Sequence, residues 1–227
     1  TFDLDDTFWD VKPVIINAEM KTRKFIEDKV GTLEWGSWED FKLIREKLIL
    51  EDASYEFDVG KLRKKLLLMK IKERVSEPEA ANELSEKAFQ LFFNERNRVD
   101  FFPYVLDEIK KLAQIYELGC LTNGNADIEI IGIKKFFKFN ISSKDVGANK
   151  PSKNHFHSAR ELLGLGKEEI LHIGDHKIND MLGAINYGCE ALWFNPDKKV
   201  WDLKDTKKPF EFSTWKDLTE RISSLYS

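Results

Sequence analysis

Residues 169–196, EILHIGDHKINDMLGAINYGCEALWFNP, decide the fold of this chain. The apolar run at 170–173 predicts a short strand, 180–187 a helix, and 190–194 a second strand. Two strands joined by a crossover helix form a parallel pair, with the helix packed on one face. The same alternation extends outward. On the N-terminal side, 103–114 predicts a helix buried through Val105, Leu106, Ile109 and Leu112; 116–122 and 139–142 predict strands, and 152–163 a helix. A strand near Phe212 and a helix over 215–225 close the chain. The fold class this implies is α/β in three layers, with a parallel sheet covered on both faces.

Residues 12–97 have a different texture, helical nearly throughout. Pro13 suits a first turn, and Val14, Ala18, Phe25 and Ile26 fall near helical spacing. A second helix is expected over 38–50, with Phe41, Ile44 and Leu48 on one face. The third, over 58–75, shows Leu62, Leu66 and Met69 as its stripe. Ser76 reads as the N-cap of a fourth helix running to about Arg96, closed by a capping box. The chain therefore divides into a discontinuous α/β core, 1–11 and 98–227, and an inserted four-helix cap, 12–97.

In a parallel α/β sheet, ligands bind beyond the carboxyl ends of the strands. Phe2–Leu4 runs into Asp5, Leu121 into Thr122, and Ile173 into Gly174 and Asp175, while Lys150 follows the 139–142 strand after a loop. Four strands thus deliver polar or ionisable groups to one edge. Asp3 and Asp5 stand two residues apart, and two carboxylates in a dry crevice repel each other unless a cation neutralises them. Oxygen-only ligands favour a hard ion such as Mg²⁺. Asp175 and Asp180 add negative charge, so a phosphate dianion needs Lys150 as well as a metal.

Composition excludes several classes. With 227 residues, 42% hydrophobic and 33% charged, the chain is neither collagen-like nor disordered. A net charge of −4, from 36 basic and 40 acidic residues, argues against nucleic acid as a partner. No run of 18 apolar residues offers a membrane span. The acidic N-terminus TFDLDDTFWD does not read as a secretory signal, so a cytoplasmic location is expected. Cys120 and Cys189, far apart in apolar surroundings, read as buried reduced thiols.

FDLDDT, LTNGN, the Lys150-Pro151 pair and HIGDHKIND, in that order, resemble the four motifs of the haloacid dehalogenase superfamily. The resemblance covers about 1–10 and 99–200 and implies a Rossmann-like core with a cap. It makes Asp3 a nucleophile that forms an aspartyl-phosphate, and Asp5 the general acid and then base. Thr122 and the backbone N–H of Asn123 hold phosphoryl oxygens, and Lys150 balances charge on nucleophile and phosphate. Mg²⁺ is expected on the Asp3 carboxylate, the Asp5 carbonyl and Asp175, with Asp180 orienting Lys150 or a water on the metal. Dehalogenases lack the second aspartate, because halide leaves without a proton; Asp5 therefore favours a phosphatase. Phosphomutases and a non-catalytic phospholigand-binding protein remain alternatives.

TFDLDDTFWDVKPVI, LTNGNADIEIIGI and the stretch at 169–196 are similar, flanks included, to the bacterial branch acting on 5-amino-6-(5-phospho-D-ribitylamino)uracil, a riboflavin precursor, and on flavin mononucleotide. A small phosphorylated metabolite is the expected partner, for a monomer or weak dimer. Trp9 is the first candidate to stack on a substrate ring, ahead of Trp35, Trp38 and Tyr55. His176 stands where small polar residues are common in the family, and is expected either at substrate or in solvent. His172 reads as a satisfied core histidine. The basic residues of 58–75 read as a solvated helix face. Only Thr1 and Phe2 precede Asp3, where the family has a longer apolar strand, so the chain is expected to begin inside the natural protein or to omit disordered residues.

Overall fold

The computed structural model describes residues 1–225. It resolves into two compact units, one formed by Thr1–Asp10 and the chain from Asp100 onward, the other by Val11–Val99.

The first unit is built on parallel strands. β1 (Gly119–Thr122) pairs with β2 (Phe139–Ser142), and β3 (Leu171–Gly174) pairs with β4 (Glu190–Phe194), which pairs with β5 (Phe210–Phe212). The N-terminal residues join the two groups, since Phe2 bridges in parallel to Cys120 on one side and Ile173 on the other. Phe2 N–H donates to the Gly119 carbonyl at 2.9 Å, and Asp3 N–H to the Ile173 carbonyl at 2.9 Å. The order is β2-β1-(1–3)-β3-β4-β5, so Asp3 leaves the sheet from its middle.

Alternation along the strands sends successive side chains to opposite faces. Leu121, Ile141, Ala191 and Trp193 pack with Phe156 and Ala159 of α7 (Asn154–Leu163) and with Ala184 and Tyr187 of α8 (Gly183–Tyr187). On the other side, Phe2, Phe8, Phe194 and Phe212 surround Trp215, with ring centroids 5.3–6.1 Å from it. α5 (Val105–Leu112) packs against α9 (Leu218–Leu225). The parallel α/β architecture expected from the sequence is present. The segment expected as helix from Asp180 starts earlier, as a wide turn over Lys177–Leu182 that runs into α8. α6 (Ser143–Val146) is a single turn after β2 that the sequence reading did not resolve.

The second unit holds α1 (Val11–Val30), α2 (Trp38–Glu51), α3 (Val59–Ile71) and α4 (Pro78–Arg96), with α4 packed on both α1 and α3. Two local expectations are corrected. The buried stripe of α3 is Leu62, Leu67 and Ile71, whereas Met69 is exposed. Residues 66–69 are all apolar, so spacing alone does not phase this helix. Ser76 is not a cap: α4 begins after Glu77, with Pro78 in its first turn and no side-chain capping bond. Proline needs no N–H partner there, and its φ is already helical. The basic residues of α3 are largely paired within this unit, Lys61 with Asp52, Arg63 with Glu19, Lys64 with Glu86 and Lys70 with Glu73. Trp35 donates to Glu27, and Trp38 lies exposed and stacked on Phe41.

Candidate active site

Lys150 is the hub of the carboxyl edge. Its side chain is buried, and its ammonium donates to Asp3 Oδ1 at 2.8 Å, Asp180 Oδ1 at 2.6 Å and the Leu121 carbonyl at 2.5 Å. Those three bonds use all three hydrogens that an ammonium offers. The backbone of Lys150 is clamped by Asn123, whose Oδ1 accepts from Lys150 N–H at 2.7 Å while its Nδ2 donates to the Lys150 carbonyl at 3.0 Å. Ser143 Oγ donates to the same Oδ1. The sequence reading gave Asn123 only a backbone role; its side chain fixes the loop that delivers Lys150.

Burial alone would strip Lys150 of its proton, but Asp180 and Asp3 overcome it and hold the ammonium above its ordinary pKa. For Asp180, burial pulls upward, yet Lys150 and His172 prevail and keep it below the usual carboxylate range. Its second oxygen accepts from His176 N–H at 2.9 Å. Asp3 moves the other way: burial raises it well above the carboxylate range, Asp180 and Asp175 add to the rise, and Lys150 offsets only part. Asp175 is raised to about 7, by burial first and then by Asp180 and Asp6.

One hydroxyl lies between the two raised carboxylates. The buried Thr7 Oγ1 is 3.5 Å from Asp3 Oδ2 and 3.4 Å from Asp175 Oδ1. A hydroxyl carries a single hydrogen and cannot satisfy both. Oxygens of Asp3, Asp175 and Asp180 lie within 4.8 Å of one another, and both oxygens of Asp180 are already committed. Asp3 and Asp175 are therefore crowded, under-compensated oxygen donors, a set that fits a hard divalent cation such as Mg²⁺.

Three indoles brace the loops around this cluster. Trp9 Nε1 donates to Asp5 Oδ1 at 2.9 Å, Trp193 Nε1 to the Asp175 carbonyl at 2.8 Å, and Trp215 Nε1 to the Thr7 carbonyl at 3.1 Å. The Trp9 ring is fully buried, edge-on to Phe8 and Phe101. It has no open face for a substrate ring, which corrects the stacking expectation. His176 lies exposed, in keeping with the solvent-facing one of its two expected placements, and its Nδ1 accepts from Ile178 N–H at 3.2 Å and Asn179 N–H at 3.0 Å, capping the turn that carries Asp180.

Thr122, at the end of β1, accepts from Gly124 N–H at 3.0 Å through its hydroxyl oxygen, leaving the hydroxyl hydrogen to donate. Its carbonyl takes a bond from His155 Nε2 at 3.2 Å. Burial pushes His155 down to about 4, with Lys150 adding to the effect, so the ring is neutral at pH 7. His172 is likewise pushed down to about 4 by burial; its Nε2 reaches Asp180 Oδ1 at 3.3 Å and its Nδ1 the Thr1 hydroxyl at 3.0 Å. It is satisfied, and its partner is the carboxylate that holds Lys150. Thr7, His155, Ser143, Trp193 and Trp215 were not found from the sequence. A tryptophan N–H in a dry core needs a partner, but the sequence does not say which.

Gly174 is required by a close approach. A Cβ there would stand 2.5 Å from Asp180 Cγ and 2.6 Å from its Cβ and Oδ2. Asp180 is pinned at both oxygens and cannot swing aside cheaply. Gly174→Ala is expected to displace Asp180 by a few tenths of an ångström or more and lower kcat roughly tenfold to a hundredfold, the range that misplacement of catalytic groups produces. Steady-state rates, with circular dichroism to confirm the fold, check this.

Comparison with known proteins agrees with the geometry. Residues 1–188 match a family model described as haloacid dehalogenase-like hydrolase. The Escherichia coli (strain K12) 5-amino-6-(5-phospho-D-ribitylamino)uracil phosphatase YigB is 31% identical over 208 residues, covering 90% of this chain and 87% of that protein. The phosphoserine phosphatase of Thermus thermophilus is 29% identical over 165 residues, 64% of each chain. A crystal structure described as a 2-haloacid dehalogenase from Pseudomonas syringae pv. Tomato DC3000 superposes with a TM-score of 0.90 at 32% identity, covering 99% of this chain and 97% of that one. Together with the motif order and the strand-edge cluster, these similarities identify the chain as an enzyme of the haloacid dehalogenase-like hydrolase family.

Proposed function

We propose that this hydrolase is a phosphatase: a Mg²⁺-dependent phosphomonoesterase that works through an aspartyl-phosphate on a small phosphorylated metabolite. The observation that carries the reading is the buried Lys150 ammonium shared between Asp3 and Asp180, with Asp175 beside them. An arrangement that neutralises a carboxylate nucleophile and an incoming dianion suits phosphoryl transfer, where positioning and charge do most of the work.

In this reading a carboxylate oxygen of Asp3 attacks phosphorus, and the ester P–O bond breaks. The leaving oxygen takes a proton from the Asp5 carboxyl. Asp5 then accepts a proton from the water that attacks the aspartyl-phosphate, which frees Asp3 and inorganic phosphate. The Thr122 hydroxyl and Asn123 N–H hold phosphoryl oxygens, and Lys150 keeps Asp3 oriented. Mg²⁺ would be held by Asp3, Asp175 and the Asp5 carbonyl, and when bound it neutralises charge on the carboxylates and the phosphoryl group. Asp180 acts through Lys150. The helical unit at Val11–Val99 is the segment to which substrate choice is assigned.

The similarity to YigB makes the riboflavin precursor phosphate and flavin mononucleotide the first substrates to test. The Pseudomonas syringae neighbour favours a second reading, dehalogenation. Asp5 speaks for the first, because an alkoxide needs a proton to leave and a halide does not. No helix among the described residues is long and apolar enough to cross a membrane. A cytoplasmic location and a monomer or weak dimer belong to the same proposal.

Initial rates across the ribitylaminouracil phosphate, flavin mononucleotide, nucleotides, sugar phosphates and 2-chloropropionate decide between the readings. Phosphate release is expected, with one of the first two substrates preferred; chelation should stop it and added Mg²⁺ restore it. Chloride release with inert esters would overturn the phosphatase reading, and an isomerised sugar phosphate without free phosphate would mean a mutase.

A further inference from the structure

Asp5 is the group proposed above as acid and base, and the structure ties it to one neighbour in a specific way. The chain turns back on itself from Leu4 to Trp9: Phe8 N–H donates to the Leu4 carbonyl at 2.8 Å, and Asp6 N–H to the Trp9 carbonyl at 2.9 Å. Asp6 sits at φ +60°, a left-handed conformation that aspartate tolerates better than most residues. The turn brings Trp9 beside Asp5, and the two bridge in parallel. Trp9 is held from its other side by an antiparallel bridge to Phe101, next to a bond from Phe102 N–H to the Phe8 carbonyl at 2.8 Å. Its ring is edge-on to Phe8 at 6.1 Å and to Phe101 at 5.8 Å, so it has little room to move.

We propose that the Trp9 indole N–H, fixed in this turn and bonded to Asp5 Oδ1, is the positioning group that aims the Asp5 carboxyl for proton transfer. The proposal rests on the reading of Asp5 as acid and base. An indole nitrogen is a donor only. While it addresses Oδ1, that oxygen acts as acceptor, which favours Oδ2 as the site of the transferable proton. A carboxyl on a freely turning Cβ–Cγ bond would present either oxygen to the leaving group. The buried indole limits it to one plane and one oxygen, an orientation set before substrate arrives. Losing the bond would also strand a buried N–H, so Trp9 and Asp5 hold each other in place. Trp9 does not touch the reacting atoms and acts only through Asp5.

The test separates proton delivery from folding by the leaving group. An alkyl phosphate needs a proton to leave, whereas an aryl phosphate with a strongly acidic phenol, such as 2,4-dinitrophenyl phosphate, does not. kcat/KM reports the steps up to departure of the leaving group, so the later action of Asp5 as base does not enter. Trp9→Phe keeps an aromatic ring in the turn and removes the N–H. It is expected to lower kcat/KM for an alkyl phosphate about tenfold or more, a fraction of what a general acid supplies, and to leave the dinitrophenyl ester within about twofold of wild type. Equal losses on both esters, or no loss on either, would overturn the proposal.

Asp5→Asn provides the control. If the alkyl-to-aryl ratio falls in Asp5→Asn and not in Trp9→Phe, the positioning role is wrong and the acid assignment stands. If it falls in neither, the assignment of Asp5 itself is wrong. Should Trp9→Phe not fold, ¹⁵N spectra of the chain labelled at its six tryptophans give the same answer. One indole N–H signal is expected to move strongly in Asp5→Asn while the others hold; no such movement would contradict the bond on which the proposal stands.

Discussion

Asp3→Asn is expected to lose turnover by a factor on the order of 10⁴ or more, the scale on which enzymes lose rate when a nucleophile is removed, while the protein becomes no less stable. The two halves of this expectation have separate causes. An amide cannot form the acyl phosphate, so the reaction loses its covalent route. The folded chain, by contrast, holds the Asp3 carboxyl well above its ordinary pKa, mainly through burial, with Asp180 and Asp175 adding repulsion. Above the ordinary carboxylate range that upward shift is a cost to the metal-free fold. A neutral amide of the same shape removes that cost and leaves Lys150 its ion pair with Asp180. Rates with Mg²⁺ and melting temperatures without it check both parts. A lost activity accompanied by a large fall in melting temperature would mean that Asp3 is structural.

Lys150→Met is expected to fail on both counts. The methionine fills a similar volume but leaves the buried Asp180 and Asp3 without their shared cation. Removing one partner of a buried ion pair costs about 3–5 kcal/mol, and here two carboxylates depend on the same ammonium. For a chain of this size that corresponds to a fall of roughly 10 °C in the melting temperature of the α/β unit. Activity should drop by a factor on the order of 10³, since nothing then orients Asp3 or offsets its charge. Lys150→Met/Asp180→Asn should recover part of the stability and none of the activity. Recovery of both would show that the lysine serves the fold alone; recovery of neither would show that the carboxylates are not its main partners.

The architecture was legible in the sequence because its signals are local. Two apolar runs flanking a helix specify the parallel pair β3–β4, the short segments at β1 and β2 extend the same alternation, and Thr122 and Asp175, at or just past strand ends, mark the edge where ligands bind. What stayed hidden depends on partners distant in sequence. Trp215 bonds to the Thr7 carbonyl across 208 residues, and no periodicity announces that. Asn123 reads as a phosphate ligand from its place after Thr122, yet its side chain is spent on Lys150, 27 residues on. Trp9 reads as an aromatic near a nucleophile, and only packing shows that both its faces are covered. His172 was legible as a core histidine, but its bond to Asp180 was not, because burial is a sequence trend while a hydrogen-bond partner is a matter of geometry. In α3, four consecutive apolar residues erased the phase that spacing normally supplies.

The most direct test is to stop the reaction in acid within milliseconds of mixing the enzyme with Mg²⁺ and a phosphate monoester, and to map the trapped phosphoryl group by mass spectrometry. A phosphorylated peptide is expected with the group on Asp3, formed fast enough to lie on the path of turnover and absent from Asp3→Asn. Sustained phosphate release with Asp3 unmodified at every time point, or with the group on another side chain, would contradict the account.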